Sequence, residues 1–217
     1  MSVILTSDHL RVVRRIKRRA IKVHFVGIVL TIILIAGFLG WKWVVRIERA
    51  LIQEAYGIAR YQTMEMAAKI KLLEVLRNKP MSVGQALEVT DVVLEEAPKR
   101  KIPISIVLAI MSQESSFMVG ALSHEGAKGL MQIMPATFQM YSQDPGIKKN
   151  IFNSYNPAIN VRVAIVYLED LQRTHGDWGK VLGVYYSGEP NNKVNRIYVR
   201  QVMAKAGEFG LALGKNQ

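Results

Sequence analysis

The sequence between residues 104 and 137 is ISIVLAIMSQESSFMVGALSHEGAKGLMQIMPAT. Its first eight residues are apolar apart from Ser105, and the chain becomes polar at Ser112. Such a run is typical of a buried helix, and Pro103 before it suits the first helical turn. Glu114 lies three residues after this apolar run, and a loop rich in glycine follows it. The pattern predicts a buried helix that delivers a carboxyl group to a cleft, and it favours an enzyme.

Glu114 is the predicted acid catalyst of this cleft. On a helix it shares a face with the apolar side chains of Val107, Ile110 and Met111. An apolar surface and the C-terminal end of a helix both disfavour a charged carboxylate, so they are expected to raise the pKa of Glu114. A raised pKa is what a general acid needs near neutral pH. The alternative is a solvated glutamate at a helix end.

The net charge of +12 is unevenly distributed along the 217 residues. Residues 1–45 carry +7, which leaves only +5 on the rest of the chain. The basic residues lie next to an apolar segment, so their distribution indicates that the protein associates with a membrane and does not bind nucleic acid.

Residues 25–41 contain no charged side chain. This run predicts a transmembrane anchor over residues 25–45, because Lys42 can extend its ammonium group to the interface. The cations of residues 1–24 predict a cytoplasmic N-terminus, which leaves residues 46–217 outside the cytoplasm. A cleaved signal peptide is the alternative, but the run is long and lacks a cleavage pattern of small residues.

The sequence after the anchor predicts helices and no strand. Residues 46–80 are rich in helix formers and predict a helical stalk. Ser82 and Gln85 have capping-box spacing for a helix that ends near Ala97. Three further helices are predicted over residues 156–171, 178–186 and 196–206. We therefore expect a mainly α-helical domain over residues 81–217.

Several motifs stand in order within residues 88–206. They are Glu114-Ser115, Ser123-x-x-Gly126-Ala127-x-Gly129-Leu130-Met131-Gln132, Asn156-Pro157-x-x-Asn160, Tyr167-Leu168, Gly176-Asp177-Trp178, Tyr185, Gly188 and Tyr198-Val199. Together these motifs resemble the lytic transglycosylases of the lysozyme superfamily.

The resemblance implies a lysozyme-like fold that cleaves peptidoglycan glycan strands between N-acetylmuramic acid and N-acetylglucosamine. Glu114 would protonate the glycosidic oxygen and then help to deprotonate the C6 hydroxyl, which attacks C1 and leaves a 1,6-anhydromuramyl end. The resemblance also implies a set of substrate-binding residues, namely Ser115, Gly129, Leu130, Met131, Gln132, Tyr185 and Tyr198.

Two positions depart from the family pattern. Tyr186 replaces the asparagine of an Ala-Tyr-Asn-Ala-Gly motif, and Val194 replaces an acidic residue. Both changes keep the acid catalyst, but they are expected to alter the rate or the placement of substrate.

Two other functions remain open at this point. A lysozyme-type muramidase would need a second carboxylate, and the candidates are Glu125, Asp144, Glu169, Asp170, Asp177 and Glu189. A non-catalytic peptidoglycan-binding component of an envelope-spanning machine is the other possibility.

No cofactor and no metal are predicted. The chain has no cysteine, and the zinc-protease pattern that begins at His124 fails because Lys128 replaces the second histidine. The biological setting stays open between wall turnover, a secretion or conjugation apparatus, and a phage virion membrane.

Overall fold

The computed structural model describes residues 7–144, 147, 153–190 and 195–214. Within these ranges the chain forms seven α-helices and no β-strand, which confirms the predicted mainly α-helical class. Val194 and the first six residues of the predicted segment 1–24 lie outside the described residues. The helices are α1 (Ser7–Leu76), α2 (Val83–Lys99), α3 (Ile104–Glu114), α4 (Pro135–Tyr141), α5 (Pro157–His175), α6 (Trp178–Ser187) and α7 (Asn195–Leu213).

The chain divides into two compact units, residues 1–62 and residues 63–217. In the first unit, every side chain from Ile21 to Gln62 is exposed except that of Val45, which is partly exposed. Many of these side chains are large and apolar, a surface that is unfavourable in water. Among the described residues, α1 is the one helix that is long and apolar enough to cross a membrane, judged by length and composition.

The start of α2 follows the predicted capping box. Ser82 Oγ accepts a hydrogen bond from the Gln85 amide, and Gln85 Oε1 accepts one from the Ser82 amide. The helix continues past the predicted end at Ala97 and includes Pro98 before it stops at Lys99. Proline has no amide N–H, so its presence in the last turn costs α2 one helical hydrogen bond.

Other helix boundaries also differ from the prediction. Pro103 is the N-cap of α3, with an extended backbone, instead of a first-turn residue. The helix α4 was not predicted. Two helices extend beyond their predicted ends, to His175 and Leu213. Gln172 Nε2 donates to Gly176 O at the end of α5, and the burial of Leu213 ties the end of α7 to the core.

The helix α3 is the centre of the second unit. It packs against α2 and α7, while α5 packs against α2, α4 and α6. All residues from Ile106 to Met111 are buried, and Leu72 and Leu76 at the end of α1 are completely buried as well. Burial on all sides fixes the position of α3 and therefore of the residue at its C-terminal end.

A buried carboxylate links α2 to α5. Glu96 is only 1% exposed, and it accepts hydrogen bonds from Arg100 at 3.0 Å and from Arg162. Arg100 lies on the cap of α2 and also pairs with Glu169 of α5. The two arginines compensate the cost of burying the charge of Glu96.

Candidate active site

Glu114 lies in a cleft of about 530 Å³, a volume within the range of ligand-binding sites. It is the last residue of α3, so its carboxyl group is carried by a buried and rigid helix. The cleft is lined by Glu114, Ser123, Glu125, Ala127, Gln132, Ile133, Met134, Thr137, Tyr167, Val184, Tyr185, Tyr186, Ser187 and Gly188.

Tyr198 of α7 is the hydrogen-bond partner of Glu114. Its hydroxyl group donates to Glu114 Oε1 over 2.5 Å, and the residue is only 4% exposed. Burial, followed by the nearby charge of Glu114, raises the pKa of Tyr198 well above its usual value. The phenol therefore keeps its proton and remains a hydrogen-bond donor.

Two opposing effects act on the pKa of Glu114. Burial disfavours the charged form and raises the pKa, whereas the hydrogen bond from Tyr198 favours the carboxylate and lowers the pKa. Burial is the larger effect, so the pKa of Glu114 lies above its ordinary value, in the direction that the sequence predicts. Such a carboxyl group keeps its proton closer to neutral pH, as a general acid must.

Tyrosines from α5, α6 and α7 pack against one another beside the cleft. The ring of Tyr186 stacks on that of Tyr198, with centroids 4.4 Å apart and planes at 21°. Tyr185 stacks on Tyr167 at 5.5 Å and donates a hydrogen bond to the Met131 carbonyl over 2.8 Å. These ring contacts hold one wall of the cleft in a defined position.

The loop after α3 is tied back to the helix by Ser115. This residue is buried, and its hydroxyl oxygen lies 3.0 Å from Met111 O and 2.8 Å from Leu130 O. The hydroxyl donates to these carbonyls and thus connects the end of α3 to the Gly-Leu-Met-Gln segment. Its observed contacts are with backbone atoms of the protein.

Asn160 of α5 braces the same segment. It is completely buried, its Oδ1 accepts from the Met131 amide over 2.8 Å, and its Nδ2 donates to the Lys128 carbonyl over 2.9 Å. Gly129 has a φ of +78°, and a Cβ atom there would lie 2.6 Å from Asn160 Nδ2. The absence of a side chain at Gly129 therefore leaves the room that Asn160 occupies.

The predicted substrate-binding residues occupy different positions around the cleft. Gln132 and Tyr185 line it, and Tyr198 donates a hydrogen bond to Glu114 without lining the cleft itself. The remaining four are buried, so Leu130 and Met131 direct their side chains into the core and can contribute only backbone atoms to the cleft wall. Several further residues lie beside or line the cleft, although the sequence by itself indicates no role for them: Asn160, Ser123, Met134, Thr137 and Tyr167.

The candidate second carboxylates are mostly engaged elsewhere. Asp144 and Glu169 pair with Arg100, and Asp170 accepts a hydrogen bond from Tyr141 over 2.7 Å. The side chain of Asp177 caps α6, and the exposed Glu189 is outside the cleft lining. Of the six candidates, Glu125 alone lines the cleft together with Glu114.

The described residues contain no group of three or more histidine, aspartate and glutamate side chains placed to hold a metal ion. The polar groups of the cleft are instead carboxyl, amide and hydroxyl groups. Such groups suit the hydroxyl-rich surface of a saccharide.

Residues 91–206 match the family model described as Transglycosylase SLT domain. The chain belongs to this family. The SLT domain thus covers α3 to α6 in full, together with parts of α2 and α7.

The SLT domain also resembles individual curated proteins and solved structures. Membrane-bound lytic murein transglycosylase C from two Histophilus somni strains, 2336 and 129Pt, is 31% identical over 124 residues, which covers 45% of this chain and 34% of each relative. The chain thus spans about one third of the length of these relatives.

Two crystal structures share the fold. An inactive mutant of lytic transglycosylase Slt from Pseudomonas aeruginosa is 27% identical, with a TM-score of 0.52 over 58% of this chain and 24% of that one. The soluble lytic transglycosylase Slt70 from Escherichia coli is 22% identical, with a TM-score of 0.52 over 57% of this chain and 24% of that one. The second likeness is one of fold alone.

Proposed function

We propose that the SLT domain cleaves peptidoglycan glycan strands as a lytic transglycosylase, with Glu114 as its single acid and base. One observation carries this proposal: the half-buried carboxyl group of Glu114 faces a cleft and accepts a hydrogen bond from Tyr198. The family membership and the relatives described as lytic murein transglycosylases support the choice of substrate.

The proposed reaction needs one carboxyl group acting twice. Protonated Glu114 donates its proton to the glycosidic oxygen between N-acetylmuramic acid and N-acetylglucosamine, and the bond from C1 to that oxygen breaks. The resulting carboxylate takes the proton of the C6 hydroxyl, whose oxygen bonds to C1. Glu114 is protonated again at the end, no water is consumed, and a 1,6-anhydromuramyl end remains.

Tyr198 suits both halves of this cycle. Its hydroxyl stabilises the carboxylate that forms after the first proton transfer, while burial keeps the acid form accessible at the start. The inactive Slt mutant from Pseudomonas aeruginosa carries a glutamine in place of a glutamate, which supports a glutamate as the essential acid in this family.

We assign direct saccharide contacts to Gln132 and Tyr185, because both line the cleft. Ser115, Gly129, Leu130 and Met131 act indirectly in this proposal, by holding the backbone of the cleft wall. Both side chains are partly exposed, and aromatic and amide groups at a cleft surface can stack on sugar rings and hydrogen bond to their hydroxyl groups.

We further propose that residues 25–45 anchor the chain in an inner membrane, with residues 1–24 in the cytoplasm and the SLT domain in the periplasm. The exposed apolar side chains of this segment support the anchor. The cations that precede it support the orientation. The name of the Histophilus somni relatives, which describes them as membrane-bound, agrees with an anchor.

The full-length chain in detergent, incubated with purified cell-wall sacculi, tests the activity. We expect soluble products with 1,6-anhydromuramyl ends from the unmodified protein. Glu114→Gln should release none, whereas Glu208→Gln, an exposed glutamate of α7, should behave like the parent. Full activity of Glu114→Gln would exclude Glu114 as the acid.

A muramidase is the second candidate, because Glu125 lines the same cleft as Glu114. In a hydrolase a second carboxylate would activate water or act as the nucleophile. Products with reducing ends, lost in Glu125→Gln, would assign this reaction instead. Binding to sacculi without any product would favour a non-catalytic peptidoglycan-binding module.

A further inference from the structure

Tyr186 contacts the ring of Tyr198, the hydrogen-bond partner of Glu114. Its ring stacks on that of Tyr198, with a centroid distance of 4.4 Å and an angle of 21° between the planes. Tyr186 is 48% exposed and lines the cleft, whereas Tyr198 is nearly buried. The two tyrosines belong to different helices, α6 and α7, so the stack is a contact between elements.

The position of the Tyr198 hydroxyl depends on the position of its ring. That hydroxyl lies at the far end of a rigid side chain and donates to Glu114 Oε1 over 2.5 Å. A small displacement of the ring toward one of its faces would lengthen or misalign this hydrogen bond, and hydrogen bonds weaken steeply with poor geometry. Tyr186 covers one face of the ring and restricts its displacement in that direction.

We infer that Tyr186 is a positioning residue, which holds the Tyr198 ring and through it the carboxyl group of Glu114. This inference rests on the proposed function for its kinetic consequences. The asparagine that the family pattern has at this position carries no ring and cannot form the stack.

Other groups face Glu114 and must stay unchanged in a test of this inference. Tyr198 approaches from α7, Tyr185 approaches from α6, and Glu125 shares the cleft from the loop after α3. Substitutions at Tyr186 alone leave these three groups in place. A change in the titration of Glu114 can then be attributed to the lost ring contact.

Two substitutions distinguish the contribution of the Tyr186 ring from that of its hydroxyl group. Tyr186→Phe keeps the stack, and we expect its kcat to stay within about twofold of the parent value. Tyr186→Leu keeps an apolar side chain but loses the flat ring, and we expect kcat to fall about tenfold. The matched control is Ile197→Ala, which removes an exposed apolar side chain next to Tyr198 in the sequence. Its kcat should equal that of the parent.

The pH dependence gives a readout that a purely structural role would not affect. The acid form of Glu114 is active, so kcat/KM falls as the pH rises through the pKa of Glu114. Weakening the Tyr198 hydrogen bond removes an effect that lowers this pKa. The fall of kcat/KM should therefore occur at higher pH in Tyr186→Leu than in the parent and in Tyr186→Phe.

Soluble glycan strands and the full-length chain in detergent are used for the kinetics. A higher KM for Tyr186→Leu, with kcat and the pH profile unchanged, would overturn the inference and make Tyr186 a substrate contact only. Near-UV circular dichroism of each variant checks the fold.

A titration of Glu114 itself makes the inference independent of activity. Carboxyl ¹³C resonances of the glutamate-labelled full-length chain are followed with pH, and Glu114→Gln assigns the resonance of Glu114. We expect a higher pKa for Glu114 in Tyr186→Leu than in the parent, even if the parent cleaves no glycan. An unchanged pKa would refute the positioning role, whereas absent products from the parent would refute only the proposed function.

Discussion

At the scale of single residues, the properties of Glu114 come from two opposing effects. Burial of the carboxyl group raises its pKa, and the hydrogen bond from the Tyr198 hydroxyl lowers it. The balance produces a group that can release a proton and then be stabilised as a carboxylate. The proposed reaction requires a single carboxyl group with both abilities, because the C6 hydroxyl of the sugar attacks C1 and no water is consumed.

Tyr198→Phe tests the hydrogen bond directly. Removal of the hydroxyl leaves burial unopposed, so the pKa of Glu114 should rise, and the fall of kcat/KM should move to higher pH. We also expect kcat to decrease about tenfold, the effect of losing one hydrogen bond to a charged group. The measurement is a pH–rate profile on soluble glycan strands; an unchanged profile would contradict this role of Tyr198.

Glu114→Gln should also stabilise the fold at neutral pH. The pKa of Glu114 is higher in the folded protein than in the unfolded one, so its ionisation costs stability as the pH rises between the two values. Glutamine avoids this cost, and the gain should disappear below the unfolded pKa of about 4.3. Thermal unfolding by near-UV circular dichroism at pH 4 and pH 7.5 would measure both Tm values.

At the scale of structural elements, the cleft wall depends on contacts that join α5 to the loop after α3. Asn160 hydrogen bonds to the backbone at Lys128 and Met131, and Gly129 leaves the room that Asn160 needs. The Gly-Leu-Met-Gln segment thus gets its shape from α5.

Gly129→Ala should destabilise the protein by about 3 kcal/mol, because it combines a strained backbone with overpacking. Gly126→Ala is the matched control: its φ is +88°, but a Cβ atom there would contact nothing within 4 Å. This control should cost only about 1 kcal/mol, the penalty of the left-handed backbone. If chemical denaturation gave the same loss in the free energy of unfolding for both variants, the contact with Asn160 would contribute nothing to the effect of Gly129→Ala.

Glu96→Ala should destabilise the packing of α2 against α5. Arg100 and Arg162 would each lose a partner inside the structure, although each keeps a further carboxylate. We expect a loss of about 3 kcal/mol. Glu88→Ala, an exposed glutamate on the same helix, should change the free energy of unfolding by less than about 0.5 kcal/mol.

At the scale of the whole molecule, the two units carry different tasks in our proposal. The first unit has exposed apolar side chains, and basic residues are concentrated next to them in the sequence. The second unit has a single core with a cleft at the end of its central helix. An anchor of this kind would confine glycan cleavage to the region next to the membrane.

The absence of cysteine makes the proposed orientation directly testable. Single substitutions Ser2→Cys and Asn78→Cys are introduced, and intact cells are treated with a maleimide that does not cross the inner membrane. We expect labelling of Asn78→Cys only, with Ser2→Cys labelled after lysis. The reverse pattern would invert the proposed topology.

The sequence by itself determined the helical class, the family and the candidate acid. These features depend on local patterns: an apolar run before Glu114, capping residues such as Ser82 and Asn156, and ordered motifs along one segment. Helix boundaries were less predictable, because burial of Leu213 extends α7 and Pro98 is tolerated in a last turn.

The tertiary structure alone decided which residues share the cleft. Glu114 and Tyr198 are 84 positions apart, and the sequence gives no distance between them without the family resemblance. The stack of Tyr186 on Tyr198, the brace formed by Asn160 and the place of Glu125 in the cleft likewise join separate elements. Such contacts follow from the packing of helices against α3, which no local pattern specifies.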